Sequence, residues 1–233
     1  MLVDQEASLG SAPPAPALPW YQVWLKALTE PKVATYESLV TRPGVGLGKA
    51  CLWVGLASVI AAVISVGLFF GLGSLSYLNP SIQQTTDALG YLSGAAVFLA
   101  CLVPTAGVFA VVGLLFSAGI SHLLARALGG SGTYEQLAYA MAAYSAPGSL
   151  VSSAISFIPC LGVLVGLPFA FYLLFLNVLA VKSVHHISWG RAVISSTLFV
   201  ALALVILACG VVFILALLGP AIGNVFSNIV GEI

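Results

Sequence analysis

The sequence predicts an all-α fold: a polytopic membrane helix bundle with five transmembrane helices, its N-terminus cytoplasmic and its C-terminus outside. Three observations predict it. Of 233 residues 61% are hydrophobic and only 6% charged, with a mean hydropathy of +1.13, whereas a soluble domain carries about 25% charged residues. The apolar runs are continuous over about twenty residues, the length a helix needs to cross a bilayer, instead of alternating over about ten as in a barrel. The seven Lys and Arg residues all fall on one side of a five-span arrangement. Lys26, Lys32, Arg42 and Lys49 precede the first span, Arg126 stands between the second and third, and Lys182 and Arg191 stand between the fourth and fifth, which makes that side cytoplasmic. A six-span arrangement would put basic connections on both sides.

Residues 1–19 hold Asp4, Glu6 and four prolines among alanines and have neither the basic nor the apolar region of a signal peptide. They read as a disordered Ala/Pro-rich tail. Residues 20–46 mix Trp20, Tyr21, Trp24 and Tyr36 with Lys26, Glu30, Lys32 and Glu37. Such a mixture suits the headgroup region and predicts cytoplasmic interfacial amphipathic helices, broken at Pro31. The five-span membrane domain covers residues 47–218.

Span one runs from about Leu47 to Leu75, with Gly67 and Gly71 spaced to admit another helix. Residues 76–90, with Asn79-Pro80 and Asp87, read as an aqueous loop or surface helix. The apolar stretch from Tyr91 to Leu128 is too long for one span, and Pro104 divides it: span two from about Val103, preceded by an interfacial or partly inserted piece over residues 88–102. Gly129-Gly130-Ser131-Gly132-Thr133 is the tight turn to span three. There Thr133 or Ser131 caps the next helix and Gln136 sits in capping-box position. Span three, about Glu135 to Phe157, carries Tyr144 and Pro147; span four, to Val181, carries Pro168 and Asn177. The segment from Lys182 to Arg191 is the next aqueous connection. Span five, Ala192 to Leu218, closes at Gly219-Pro220, leaving residues 219–233 as a short outer tail.

The chemistry these residues can support is limited. No Asp, Glu, Lys or Arg lies in the middle of a span, where a pump or transporter places its working charges. There is no HExxH and no pair of intramembrane aspartates, and His185 and His186, being adjacent, point to different faces of a helix, a poor arrangement for two ligands of one metal. The four cysteines stand singly in apolar segments and act as small hydrophobes. His122, one turn before Arg126, suits the inner interface as a snorkelling or capping residue. The expectation is therefore a protein without enzymatic activity, cofactor or metal, and with no basic patch for nucleic acid.

Small residues at four-residue spacing, among them Ala106 and Ala110, Ser117 and Ser121, Ala138 and Ala142, Gly162 and Gly166, predict close helix packing and a face for a homo-oligomer. The candidate recognition surface is cytoplasmic: Trp24, Tyr36, Tyr134, Glu135, His185 and His186. The candidate intramembrane polar or kink positions are Pro104, Tyr144, Pro147, Pro168 and Asn177.

The Gly-Gly turn, Thr133-Tyr134-Glu135-Gln136, Tyr144 with Pro147, Pro159, and then Val184-His185-His186-Ile187-Ser188 followed by Arg191-Ala192 resemble the Yip-domain family. These are Ypt/Rab-interacting membrane proteins and their prokaryotic relatives, and the resemblance covers about residues 20 to 218. It implies five spans with a cytoplasmic N-terminus and, in eukaryotic members, vesicle trafficking through Rab GTPases in Golgi or ER membranes. This chain lacks the Asp-Leu-Tyr-Gly-Pro type motif before the first span, which speaks against GTPase binding and for a bacterial-type member in the plasma (inner) membrane.

The expected function is a multi-pass protein that organises the lipid bilayer, a membrane-protein partner or copies of itself through helix packing and its cytoplasmic face. The alternative is a small solute permease or channel, with a polar path of Ser145, Ser149, Ser152 and Asn177 near proline-broken helices.

Overall fold

A computed structural model describes residues 16–75, 88–156 and 161–231. Most of the expected N-terminal tail, most of the loop after span one, and Pro159 with Cys160 lie outside the described residues. Within them the chain is all helical: α1 (Trp20–Thr29), α2 (Val33–Val40), α3 (Leu47–Leu75), α4 (Ala88–Ala127), α5 (Tyr134–Ile155), α6 (Leu161–His185) and α7 (Trp189–Gly231). Among the described residues three stretches are long and apolar enough to cross a membrane, Leu47–Leu68, Leu99–Ala127 and Gly162–His185, and Leu204–Gly219 is a shorter apolar one.

The bundle is built around α5. From Leu137 to Ala146 every residue except Ser145 is buried, five of them alanines. Alanine costs no side-chain entropy and lets neighbouring backbones come close, so α1, α2, α3, α4 and α6 all pack on this one helix. Its start is fixed by the predicted capping box: the Gln136 amide donates to Thr133 Oγ1 (3.3 Å) and the Thr133 amide to Gln136 Oε1 (3.2 Å). The turn before it closes α4 in a Schellman arrangement, Gly130 N–H to Ala125 O at 2.8 Å and Gly129 N–H to Arg126 O at 3.0 Å, with Gly129 at φ +91°.

Helices α3 and α4 approach most closely at Gly55 and Gly107. A Cβ at Gly107 would lie 2.8 Å from Val59 Cγ2 and 3.3 Å from the Gly55 carbonyl oxygen. Gly67, expected to seat another helix, instead faces open space. Its spacing was compatible with a contact, but the partner helix meets α3 nearer the N-terminus.

Helices α1 and α2 form the hairpin expected from Pro31, but they belong to the core. Val23, Ala27, Tyr36 and Leu39 are at most 3% exposed, with α1 against α5 and α2 against both α5 and α6. Phenols supply the carbonyl partners that the last turn of α1 lacks: Tyr36 Oη donates to Ala27 O at 2.8 Å, and Tyr172 Oη, from α6, donates to Leu28 O.

Four expectations are corrected here. Residues 88–102 are not a separate interfacial piece: α4 runs unbroken through Pro104. Nor are the helices broken at Pro147 and Pro168, as the permease alternative requires; both prolines stand inside α5 and α6, as spans three and four have them, and α7 does not close at Gly219-Pro220 but continues to Gly231, so residues 219–231 are helical. At Pro104, Pro147 and Pro168 the reason is that ending a helix in hydrocarbon strands several backbone groups whereas proline strands one carbonyl. At Pro104 the Thr105 hydroxyl also donates to the Cys101 and Leu102 carbonyls, 2.9 Å each. Finally, the connection expected from Lys182 to Arg191 shrinks to His186, Ile187 and Ser188, with His186 ending α6 at φ 53°.

Candidate functional site

At one end of the bundle the α4–α5 turn, the α6–α7 turn, the end of α2 and the start of α3 meet. The α4–α5 turn is pressed onto the last turn of α6. A Cβ at Gly132 would lie 2.2 Å from Val184 O, and one at Gly130 would lie 2.8 Å from His185 Cβ. The Ser131 amide donates to His185 O (3.3 Å), and Arg191 Nη1 donates to Leu128 O (3.2 Å). On the other side, Glu135 Oε1 accepts from the Leu47 amide at 3.1 Å and so caps α3 across 88 residues of sequence.

Inside this corner His122 of α4 meets His185 of α6, Nδ1 to Nε2 at 3.3 Å, with ring centroids 5.1 Å apart. Tyr134 of α5 lies edge-on to His122 (5.9 Å) and donates its hydroxyl to Leu115 O at 3.0 Å. The cluster ties three helices together. Among the described residues no group of three or more His, Cys, Asp and Glu could hold a metal ion.

The expected recognition residues separate into two sets. His186 is exposed and pairs through Nδ1 with Glu37 Oε1 at 3.3 Å; Glu135 is exposed, and Tyr134 is half-buried. Tyr36 and His185 are not surface residues, at 0% and 1% exposure. Tyr36 is drawn in to satisfy the end of α1, and His185 completes the last turn of α6 beneath the glycine turn. Burial, and then the nearby phenols of Tyr144 and Tyr172, push the Tyr36 hydroxyl far above the usual tyrosine range. Trp24 belongs elsewhere, to a row of rings Trp20, Trp24, Trp53 and Tyr139 with successive centroids 5.0, 6.1 and 5.0 Å apart. Sequence reasoning did not find His122, Glu37 or Trp53 as members of these clusters, since their partners are distant in the chain.

The candidate intramembrane positions also separate. Tyr144 and Asn177, 6% and 8% exposed, line one cleft of about 290 Å³ between α3, α4, α5 and α6, together with Ser117, Ser145 and Ser149. Among the described residues Asn177 Oδ1 and Ser145 Oγ, buried there, have no hydrogen-bond partner. The same Tyr144 and Asn177 border a second hollow of about 380 Å³ against Leu167 and Val200. Ser152 lines neither hollow, and Pro104 and Pro168 are exposed on the bundle's surface.

Residues 25–210 match the Yip1 domain. The chain belongs to the Yip1-domain family. No curated protein and no solved structure matches it. The Yip1 domain thus takes in the second half of α1, all of α2, the whole glycine-turn corner and both hollows, and ends halfway along α7. Trp20 and Trp24 lie just before it.

Proposed function

We propose that this Yip1-domain protein is a non-enzymatic, five-span organiser of the bilayer, with α3 to α7 as its spans. Its N-terminus is cytoplasmic, its C-terminus is outside, and a partner membrane protein or a second copy docks on its cytoplasmic end. The observation that carries this reading is the glycine-turn corner. Separate connections are locked to one another by backbone hydrogen bonds and by glycines with no room for a side chain, while His186, Glu37 and Glu135 remain at the surface. A platform held this way presents the same polar groups whether or not a partner is bound, which lowers the ordering cost of association. Helix α5 crosses as the third span although its Glu135 and serines lower its hydropathy, because from Leu137 to Ala146 it is shielded by protein. A bacterial plasma membrane fits a chain whose N-terminal segment lacks the family's Rab-associated motif.

The test is photocrosslinking in cells from position 186. Capture of one protein, or of the chain itself, that disappears in Glu37→Lys supports docking at this end; capture of lipid alone overturns it. Labelling of single cysteines at positions 186 and 229 with a membrane-impermeant reagent tests the orientation, with position 229 expected to react from outside and position 186 not.

A second reading is favoured by the cleft beneath this end. Two buried polar atoms without partners, around 290 Å³ of space, suit a small neutral solute that donates hydrogen bonds. As a permease the protein would pass uncharged polar solutes past Tyr144 and Asn177. Solute flux in proteoliposomes, present in the wild type and abolished in Asn177→Leu, would support it.

A further inference from the structure

Two hollows beside α1 share a wall. One, about 310 Å³, is bordered by Arg42 and Lys49; the other, about 400 Å³, is an apolar trough between Trp24, Leu56 and Ile60; Trp20, Leu52 and Trp53 line both. The two hollows therefore adjoin, a cationic head beside an apolar body.

The head carries charge that no described residue neutralises. Among the described residues neither Arg42 nor Lys49 has a carboxylate within ion-pair distance. Arg42 spends Nε on Ser38 O (3.2 Å) and Nη1 on Pro16 O (3.1 Å), which orients the guanidinium and leaves donors over. The Lys49 ammonium folds over Gly44, close enough that a Cβ there would lie 2.7 Å from it, and forms no hydrogen bond within the described residues. Arg42, partly buried, and Lys49, exposed, thus leave N–H donors free at the mouth of the hollow to make charge-assisted hydrogen bonds to an anion.

The body has the length of a lipid leaflet. Leu52, Leu56 and Ile60 repeat every four residues along one exposed face of α3, 58%, 54% and 50% exposed. From Lys49 to Ile60 the helix advances about 16 Å, against about 15 Å for half the hydrocarbon thickness. In the trough wall Trp24 Nε1 is a buried donor without an acceptor among the described residues.

We infer that this site binds one anionic phospholipid of the inner leaflet, its phosphate on Arg42 and Lys49, an ester carbonyl on Trp24 Nε1, and an acyl chain along Leu52, Leu56 and Ile60. A zwitterionic lipid fills the trough equally well but brings its own cation to the head, so the site selects on charge. The α1–α2 hairpin, which supplies Trp20, Trp24 and Arg42, is then held against α3 partly by the lipid.

The experiment uses the full chain in maltoside micelles, titrated with phosphatidylglycerol or phosphatidylcholine carrying brominated acyl chains. Tryptophan quenching is the readout, since three of the four tryptophans line the site. Phosphatidylglycerol is expected to bind at least tenfold more tightly. Lys49→Gln should reduce that preference by about threefold and Arg42→Gln with Lys49→Gln should abolish it, with phosphatidylcholine affinity unchanged. Trp24→Phe should weaken both lipids alike.

Equal affinity for the two lipids, or a preference that survives the double substitution, overturns the inference. Displacement of the lipid by millimolar glycerol phosphate with undiminished quenching in its absence would identify a soluble phosphate site instead, and also overturns it. Lys49→Gln breaks no hydrogen bond among the described residues, so its result stands even where the double variant fails to fold.

Discussion

Gly132→Ala is the most direct test of the glycine-turn corner. The added Cβ would sit 2.2 Å from Val184 O, 2.7 Å from the Val184 carbonyl carbon and 2.6 Å from its Cγ1. Rotating Val184 could relieve only the last of these. The other two are backbone atoms of the final turn of α6, so the α4–α5 turn has to back away by about 0.8 Å to reach the shortest tolerable separation. Such a shift stretches the bond from the Ser131 amide to His185 O, already 3.3 Å long, past the range in which it is worth having. Overpacking against rigid atoms costs about 2 kcal/mol and the lost hydrogen bond about 1 more. A destabilisation of about 3 kcal/mol corresponds to a drop in Tm of roughly 6–12 °C for a chain of this size. Thermal unfolding in detergent, followed by tryptophan fluorescence, measures it, with Gly190→Ala as the control because no atom lies within 4 Å of its added carbon. A Gly132→Ala protein that melts with the control would show that the turn does not bear on α6, and the rigid platform would go with it.

Other substitutions probe the rest of the frame. Tyr36→Phe leaves the Ala27 carbonyl without its donor and should cost about 1–3 kcal/mol. Because the folded state holds the Tyr36 phenol neutral while the unfolded chain ionises near pH 10, its contribution is complete below that pH and declines above it. Tm measured from pH 8 to 11 should therefore fall less steeply in Tyr36→Phe than in the wild type. Glu135→Ala removes the acceptor that caps α3 and should cost about 1 kcal/mol, most of it regained in Glu135→Gln, by the same melting assay. Asn177→Leu removes a buried amide oxygen that has no partner, so stability should hold or rise by about 1 kcal/mol; a loss above about 2 kcal/mol would mean that the cleft is filled by groups that Asn177 holds.

What was legible in the sequence, and what was not, follows from how far each signal reaches along the chain. The capping box at Thr133 and Gln136, the glycine exit of α4 and the break at Pro31 are all read from residues within a few positions of each other, and each stands where expected. Proline misled because its rules come from water. Pro104 removes one donor, which in an aqueous helix is reason to stop, but in an apolar surrounding a stop costs more; Pro147 and Pro168, read inside spans three and four, stand inside α5 and α6. Surface and core were confused wherever an aromatic or histidine has a distant partner. Tyr36 reads as an interfacial ring until α1 and α6 are known to bring the carbonyl of Ala27 and the phenol of Tyr172 to it, and His185 reads as a loop residue until His122, 63 positions earlier, is found against it. The same limit explains the glycines. Gly67 and Gly71 have the helix-pairing spacing yet Gly67 meets nothing, whereas Gly55 and Gly107, single glycines on separate helices, make the close approach between α3 and α4. Spacing within one helix states which residues share a face; only the partner's position states which face is used.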